Sequence, residues 1–217
     1  MTIGKIDRTG WVLLIASAVF GLAYLLPGLG FEIAFPIDVV VKAAGIVLLA
    51  LYALRARFNL LAFALFASAV GDIMLAWQPR QMELGIVAFG IAHLAYIGLF
   101  VGWQRRAGMR GLFGYALAAG IVIYGAVMLT WLRPGMGDLA TAATIYNGII
   151  LVMAIFAALS RSPMLALVGA LLFVLSDSLI GAREFQNAFL WSGPVIWITY
   201  YLAQLFLTLG LTARASR

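Results

Sequence analysis

Eight apolar stretches, each close to the length of a bilayer crossing, succeed one another along this chain with almost nothing between them. They lie near residues 11–27, 36–54, 58–77, 84–104, 111–132, 138–159, 163–181 and 189–212. A helix needs about 20 apolar residues to cross the roughly 30 Å of hydrocarbon in a bilayer. Breakers separate the runs at Pro27/Gly28, Asn59, Pro79, Gly108, Pro134/Gly135, Pro163 and Asn187. Hydrophobic residues make up 65% of the chain and charged residues 10%, against about 25% charged in a soluble domain. No soluble core could hide so much apolar surface. The chain reads as an all-α polytopic membrane helix bundle of about eight transmembrane helices, forming a single transmembrane domain over 1–217.

The net charge of +6 does not point to nucleic acid, because the basic residues sit in the gaps between spans rather than on one soluble face. With the amino terminus inside, the cytoplasmic segments hold Lys5, Arg8, Arg55, Arg57, Arg105, Arg106, Arg110, Arg161, Arg214 and Arg217, and the outer loops hold Arg80, Arg133 and Arg183. By the positive-inside rule both termini are expected in the cytoplasm, with a bacterial inner membrane as the expected location. Lys5 and Arg8 before Trp11–Leu26 imitate a signal peptide, but no small-residue cleavage pattern follows and Pro27-Gly28-Leu29-Gly30 reads as a turn after a first span. There is no cysteine and one histidine, His93. Thiolate metal sites and sites built from several imidazoles are excluded, and no cofactor is expected. No phosphate-binding glycine loop, dinucleotide fingerprint, HExxH or GxSxG occurs.

Within this apolar setting two carboxylates stand out. Asp72 lies in FNLLAFALFASAVGDIMLAW (58–77) and Asp177 in LALVGALLFVLSDSLIG (165–181). An aspartate at the centre of a span costs roughly 2.5–3.5 kcal/mol on insertion scales, so it is expected to face a partner, an ion path or a reaction. Converting position to depth puts Asp72 roughly 8 Å, Lys42 roughly 9 Å and Asp177 roughly 6 Å below one membrane face. His93, Tyr146, Asn147 and Tyr200 fall roughly 15 Å down. The polar residues are therefore expected to build one cavity in the outer half of the bundle.

A shift of 105 residues lays Asp72 on Asp177, Tyr96 on Tyr201 and Lys42 on Asn147. Such an offset fits either a parallel four-helix repeat with halves 1–106 and 107–217 or a chance alignment of Leu/Ala-rich helices. Gly98-x-x-x-Gly102 fits close helix packing.

The aspartate pair supports acid–base chemistry if one carboxyl keeps its proton and a cation holds the other ionised. Lys42 is the available counter-ion, or a phosphate contact. Ser176 has a hydroxyl that could donate to the adjacent Asp177, and Tyr200, Tyr201 and Gln204 lie too deep for an interfacial aromatic belt and so read as cavity lining. His93 is either a titrating group in a wet cavity or a hydrogen-bonded packing residue. Glu83, Arg80, Arg183 and Glu184 read as solvated helix ends at the outer mouth, where an arginine could hold a lipid phosphate.

Four segments together, GDIMLAW (71–77), ELGIVAFGIAHLAYIGLF (83–100), GALLFVLSDSLIGAREF (169–185) and ITYYLAQLFLTLG (198–210), resemble the YhhN-like family of integral membrane proteins, which includes the lysoplasmalogenases. The resemblance covers almost the whole chain. It implies a hydrolase that takes a lysophospholipid from the bilayer and cleaves its vinyl-ether bond, releasing a fatty aldehyde and a glycerophospho-ethanolamine or -choline. Asp72, His93, Asp177, Tyr200, Tyr201 and Gln204 match the polar positions of the family motifs. Asp72 and Asp177 are then the catalytic pair, with Lys42, His93, Tyr96, Tyr146, Asn147, Ser176, Tyr200, Tyr201 and Gln204 as substrate-binding or supporting residues, and no metal. The competing reading is a proton-coupled transporter or a lipid-binding membrane protein, since carriers also use intramembrane carboxylates.

Overall fold

The computed structural model describes residues 6–213. Lys5, Arg214 and Arg217, three of the cations behind the expected orientation, lie outside the described residues. Eight α-helices follow in order: α1 (Arg8–Ala23), α2 (Ile37–Arg55), α3 (Asn59–Ala76), α4 (Met82–Ala107), α5 (Leu112–Leu132), α6 (Ala140–Leu159), α7 (Met164–Gln186) and α8 (Gly193–Thr212). Short 3₁₀ turns at Leu26–Leu29, Arg133–Gly135, Gly137–Leu139 and Leu190–Ser192 join them, and the described residues contain no strand. The helical bundle expected from the apolar runs is the fold.

The helix ends differ from the hydropathy runs where local chemistry intervenes. α1 starts at Arg8 because the Asp7 carboxylate accepts from the Gly10 amide at 2.9 Å as an N-cap. It has 16 residues, while the other seven helices, some with an adjoining 3₁₀ turn, are long and apolar enough to cross a membrane. α7 runs five residues past Gly181, because Ala182–Gln186 contains no breaker and Asn187 ends the helix in the left-handed region at φ 50°. Asp177 is therefore nine residues from the end of α7, roughly 13 Å of rise rather than the roughly 6 Å that hydropathy implies.

Loop contacts show which helix ends lie together. Arg110 on the α4–α5 connection donates to the backbone carbonyls of Ala158 and Ser162, and its amide bonds the Leu159 carbonyl. The α4–α5 and α6–α7 connections therefore share one end of the bundle. At the opposite end Arg80, after α3, pairs with Glu184 of α7 at 2.6 Å, and Gln186 donates to the Trp131 carbonyl of α5 at 2.7 Å.

Consecutive helices pack on each other from α1 to α4 and from α5 to α8. α2 packs on α8 and α4 packs on α6, two contacts that a 105-residue shift interchanges. α7 and α8 come closest: a Cβ added to Gly169 would stand 2.9 Å from the Ala203 carbonyl, and one on Gly210 would stand 2.8 Å from the Ala166 Cβ. Small residues let the two backbones touch, which is how helices associate in hydrocarbon. The Gly98-x-x-x-Gly102 motif has no such role: Gly98 faces only the Leu60 side chain at 3.4 Å and nothing stands within 4 Å of Gly102. Tyr96, Phe100, Phe173, Leu49 and Leu207 fill the centre at 0% exposure. Val12, Val19, Phe63, Leu94, Ile123 and Val127 point outward at 52% exposure or more. Apolar surface on this scale is stable only against hydrocarbon.

Candidate active site between two aspartates

Each aspartate is gripped by a different helix. Asp72, on α3, is 2% exposed and has both oxygens engaged: Oδ2 accepts from the Tyr200 hydroxyl at 2.6 Å, and Oδ1 lies 3.5 Å from Lys42 Nζ. The Lys42 ammonium, 15% exposed, also stands 5.7 Å over the Tyr24 ring. Tyr200 is held from behind. Gln204 Nε2 donates to its hydroxyl oxygen at 3.2 Å, and Gln204 Oε1 accepts from the Tyr96 hydroxyl at 2.6 Å. The chain Tyr96–Gln204–Tyr200–Asp72 crosses α4, α8 and α3 with each donor matched to an acceptor.

Asp177, on α7, is partly buried and has no cationic partner among the described residues. Its Oδ2 accepts from the Tyr146 hydroxyl of α6, and the same hydroxyl stands 3.1 Å from Nε2 of His93 on α4. His93 is 0% exposed, its Nδ1 has no partner, and its ring packs edge-on to Phe173 at 4.5 Å. Lys42 therefore serves Asp72 alone, and the two carboxyls sit in unlike surroundings.

Two cavities meet at Asp177. The first, about 100 Å³, is a mostly apolar slot between α4, α5, α6 and α7, walled by Ile86, Phe89, Met128, Leu132, Ile150 and Val174, with Tyr146, Asn147 and Asp177 along one side. The second, about 320 Å³, is the more polar of the two and holds Tyr24, Lys42, Asp72, Arg80, Arg183 and Tyr200 along with Asp177. Leu75, Phe89, Asp177, Ile180 and Glu184 belong to both walls. Helical spacing explains the shared edge: Asp177, Ile180 and Glu184 follow an i, i+3, i+7 stripe on α7. On α8 the stripe Gly193, Ile196, Trp197, Tyr200 lines the polar cavity, and its next turn brings Gln204 up behind.

Several expected lining residues lie elsewhere. Ser176 does not reach Asp177; its hydroxyl donates to the Ile196 carbonyl at 3.0 Å and ties α7 to α8. Tyr201 points away from both cavities to Ser17 at 2.9 Å, with its ring against Gly21. His93 and Gln204 stand behind the cavity walls, in contact with the lining residues Tyr146 and Tyr200, and Tyr96 stands behind Gln204. Sequence reasoning missed Tyr24, Leu75, Phe89, Ile180 and Trp197, all on cavity walls. Phe89 is placed by Gly71, next to Asp72: a Cβ there would stand 2.6 Å from the Phe89 ring. Among the described residues no group of three or more His, Cys, Asp or Glu side chains could hold a metal ion.

The arrangement offers two carboxyls of different character around a space that is apolar on one side and lined by charged residues of both signs on the other. No curated protein and no solved structure matches the chain. The model of the YhhN family matches residues 37–211, from the start of α2 nearly to the end of α8. That stretch contains every cavity residue named above except Tyr24, and the chain belongs to the YhhN family.

Proposed function

We propose that this protein is a membrane hydrolase of the lysoplasmalogenase type, cleaving the vinyl-ether bond of a single-chain alkenyl glycerophospholipid with Asp177 as the acid and Asp72 as the base. The observation that carries the reading is the position of Asp177 on the walls of both cavities. A lipid with its alkenyl chain in the apolar slot and its head group in the polar cavity puts its ether bond at that carboxyl.

Hydrogen bonding supports the division of labour. Tyr146 engages Oδ2 of Asp177, which leaves Oδ1 to carry a proton, and no cation stands by to favour the charged form. Asp72 faces Lys42 and accepts from Tyr200, contacts that complement a carboxylate. Asp177 gives its proton to the outer vinyl carbon, and the ether becomes an oxocarbenium ion that the Asp72 carboxylate stabilises. Water adds to the inner carbon while Asp72 takes its proton, giving a hemiacetal. The hemiacetal hydroxyl returns a proton to Asp177, Asp72 gives its proton to the departing glycerol oxygen, and the C–O bond breaks to aldehyde and glycerophospho-base. Both carboxyls end as they began. General acid–base groups contribute typically 10²–10⁴-fold each.

The test is aldehyde release from a lysoplasmalogen in detergent, comparing wild type with Asp72→Asn and Asp177→Asn. Loss of about 10²–10⁴-fold in each folded variant is the expected result. Full activity in either removes that carboxyl from the chemistry. Movement of intact lipid across vesicles with no aldehyde identifies a carrier instead.

A further inference from the structure

Three cations line the polar cavity, and two of them are already answered. Lys42 faces Asp72 at 3.5 Å, and Arg80 pairs with Glu184 at 2.6 Å. Arg183, on the same wall, has no carboxylate at ion-pair distance among the described residues. It is partly buried, and its Nη1 lies so close over Gly193 that a Cβ there would stand 2.9 Å away. Gly193 is the first residue of α8, so the guanidinium sits beside the positive end of that helix's dipole, in a cavity whose carboxylates Asp72 and Glu184 are paired with other cations. A partly desolvated cation without a partner is expected to be completed by an anion, and a guanidinium matches a phosphate with two parallel donors.

We propose that Arg183 is the residue that binds the phosphate of the lipid and so sets the preference for a phospholipid over a neutral ether lipid. The six-position step from Asp177 to Arg183 gives roughly 9 Å of helix rise, a span suited to the glycerol that separates an ether bond from its phosphate. The proposal rests on the hydrolase reading for the direction in which the lipid lies, but phosphate binding requires no turnover. Glu184 and Asp72 are occupied by Arg80 and Lys42, so neither carboxylate opposes an anion at Arg183.

The experiment is equilibrium binding to the detergent-purified full chain, using non-cleavable probes: a 1-O-alkyl glycerophosphoethanolamine, the matching 1-O-alkylglycerol, and inorganic phosphate. Wild type is expected to bind the phospholipid at least tenfold more tightly than the alkylglycerol, with inorganic phosphate failing to displace it. Arg183→Gln is expected to abolish that preference while leaving alkylglycerol binding unchanged, and Arg183→Lys to restore part of it. Gly193→Leu, which displaces the guanidinium without removing it, is expected to match Arg183→Gln. A phospholipid preference retained in folded Arg183→Gln overturns the proposal, and so does its absence in wild type. Displacement by inorganic phosphate overturns the lipid ligand and assigns the site to free phosphate. A wild type that shows these preferences yet releases no aldehyde from a lysoplasmalogen overturns the hydrolase reading and leaves the phosphate site standing.

Discussion

Tyr200 of α8 donates its phenol proton to Oδ2 of Asp72 on α3 at 2.6 Å, joining residues 128 positions apart in the chain. The acceptor is buried and charged, so its hydrogen bond is of the stronger kind, worth about 1.5–3 kcal/mol. Tyr200→Phe is expected to lower unfolding stability in detergent by that amount. Much of the loss should vanish in an Asp72→Asn background, because the two changes remove one interaction. Tyr201→Phe is the comparison: it breaks the bond to Ser17, is expected to cost about 0.5–1.5 kcal/mol, and should leave aldehyde release intact. Additive losses for Tyr200→Phe and Asp72→Asn would show that the bond is not a working contact.

The second aspartate can be followed through a single ring. Tyr146 has one hydroxyl proton and gives it to Asp177, so His93 Nε2 must donate to the phenol oxygen. Because His93 is the only histidine, a ¹⁵N-histidine spectrum of the protein reports one imidazole. It is expected to show the Nε2-protonated tautomer in wild type. In Asp177→Leu the phenol loses its acceptor and turns to Nε2, which moves the imidazole proton to Nδ1. A tautomer that is the same in both proteins contradicts the shared-proton arrangement.

Gly71 tests the wall between the cavities. A Cβ at this position meets the Phe89 ring at 2.6 Å, whereas one at Gly90 has its nearest neighbours at 3.9 Å. Gly71→Ala is expected to lose about 1–3 kcal/mol through overpacking and to reduce turnover by displacing Phe89. Gly90→Ala should leave both unchanged. Thermal unfolding and aldehyde assays on the two variants separate the outcomes.

Away from the bundle interior, Asp7 is held below the ordinary carboxylate range, first by its hydrogen bond from Arg55 and then by the Gly10 amide. Its folded value lies below its unfolded one, so its contribution is present above about pH 3.9 and fades as pH falls through the depressed folded value. The pair is exposed, so the effect on global stability is small. It is expected instead as acid-induced opening of the first turn of α1, read by amide hydrogen exchange at Gly10 and Trp11. Asp7→Ala, which removes both the cap and the Arg55 contact, should show that opening at neutral pH.

The bundle was legible because hydrocarbon leaves so few alternatives: an apolar run of this length must hydrogen-bond internally, and a helix does so. Asp72 and Lys42 were legible as partners because two opposite charges at one depth have reason to meet. Hydropathy could not reveal the rotation of each helix about its axis, and that rotation sends Tyr200 to Asp72, Tyr146 to Asp177, and Tyr201 away from both. Phe89, Leu75 and Ile180 were invisible for a related reason, since an apolar side chain reads the same facing a cavity as facing lipid. Arg183 and Glu184 read as helix ends because hydropathy runs out at Gly181, whereas the helix continues to Gln186 and both residues line the polar cavity. Once that extra length is known, the i, i+3, i+7 spacing from Asp177 puts Glu184 on the cavity face.

Because an apolar slot and a more polar cavity share the wall that carries Asp177, the proposed cleavage would sort its own products. The slot is flanked by the partly exposed side chains of Met82, Ile86 and Tyr124 on the outer surface of the bundle, while the polar cavity reaches the loop-end residues Arg80 and Arg183. On the proposed function, a lipid severed at Asp177 would leave its fragments on opposite sides of the break, the aldehyde toward hydrocarbon and the glycerophospho-base toward water. Each would depart by its own door into the phase that dissolves it. Neither would then obstruct the next lipid, and resynthesis would require two molecules from different phases to arrive at the same carboxyl together.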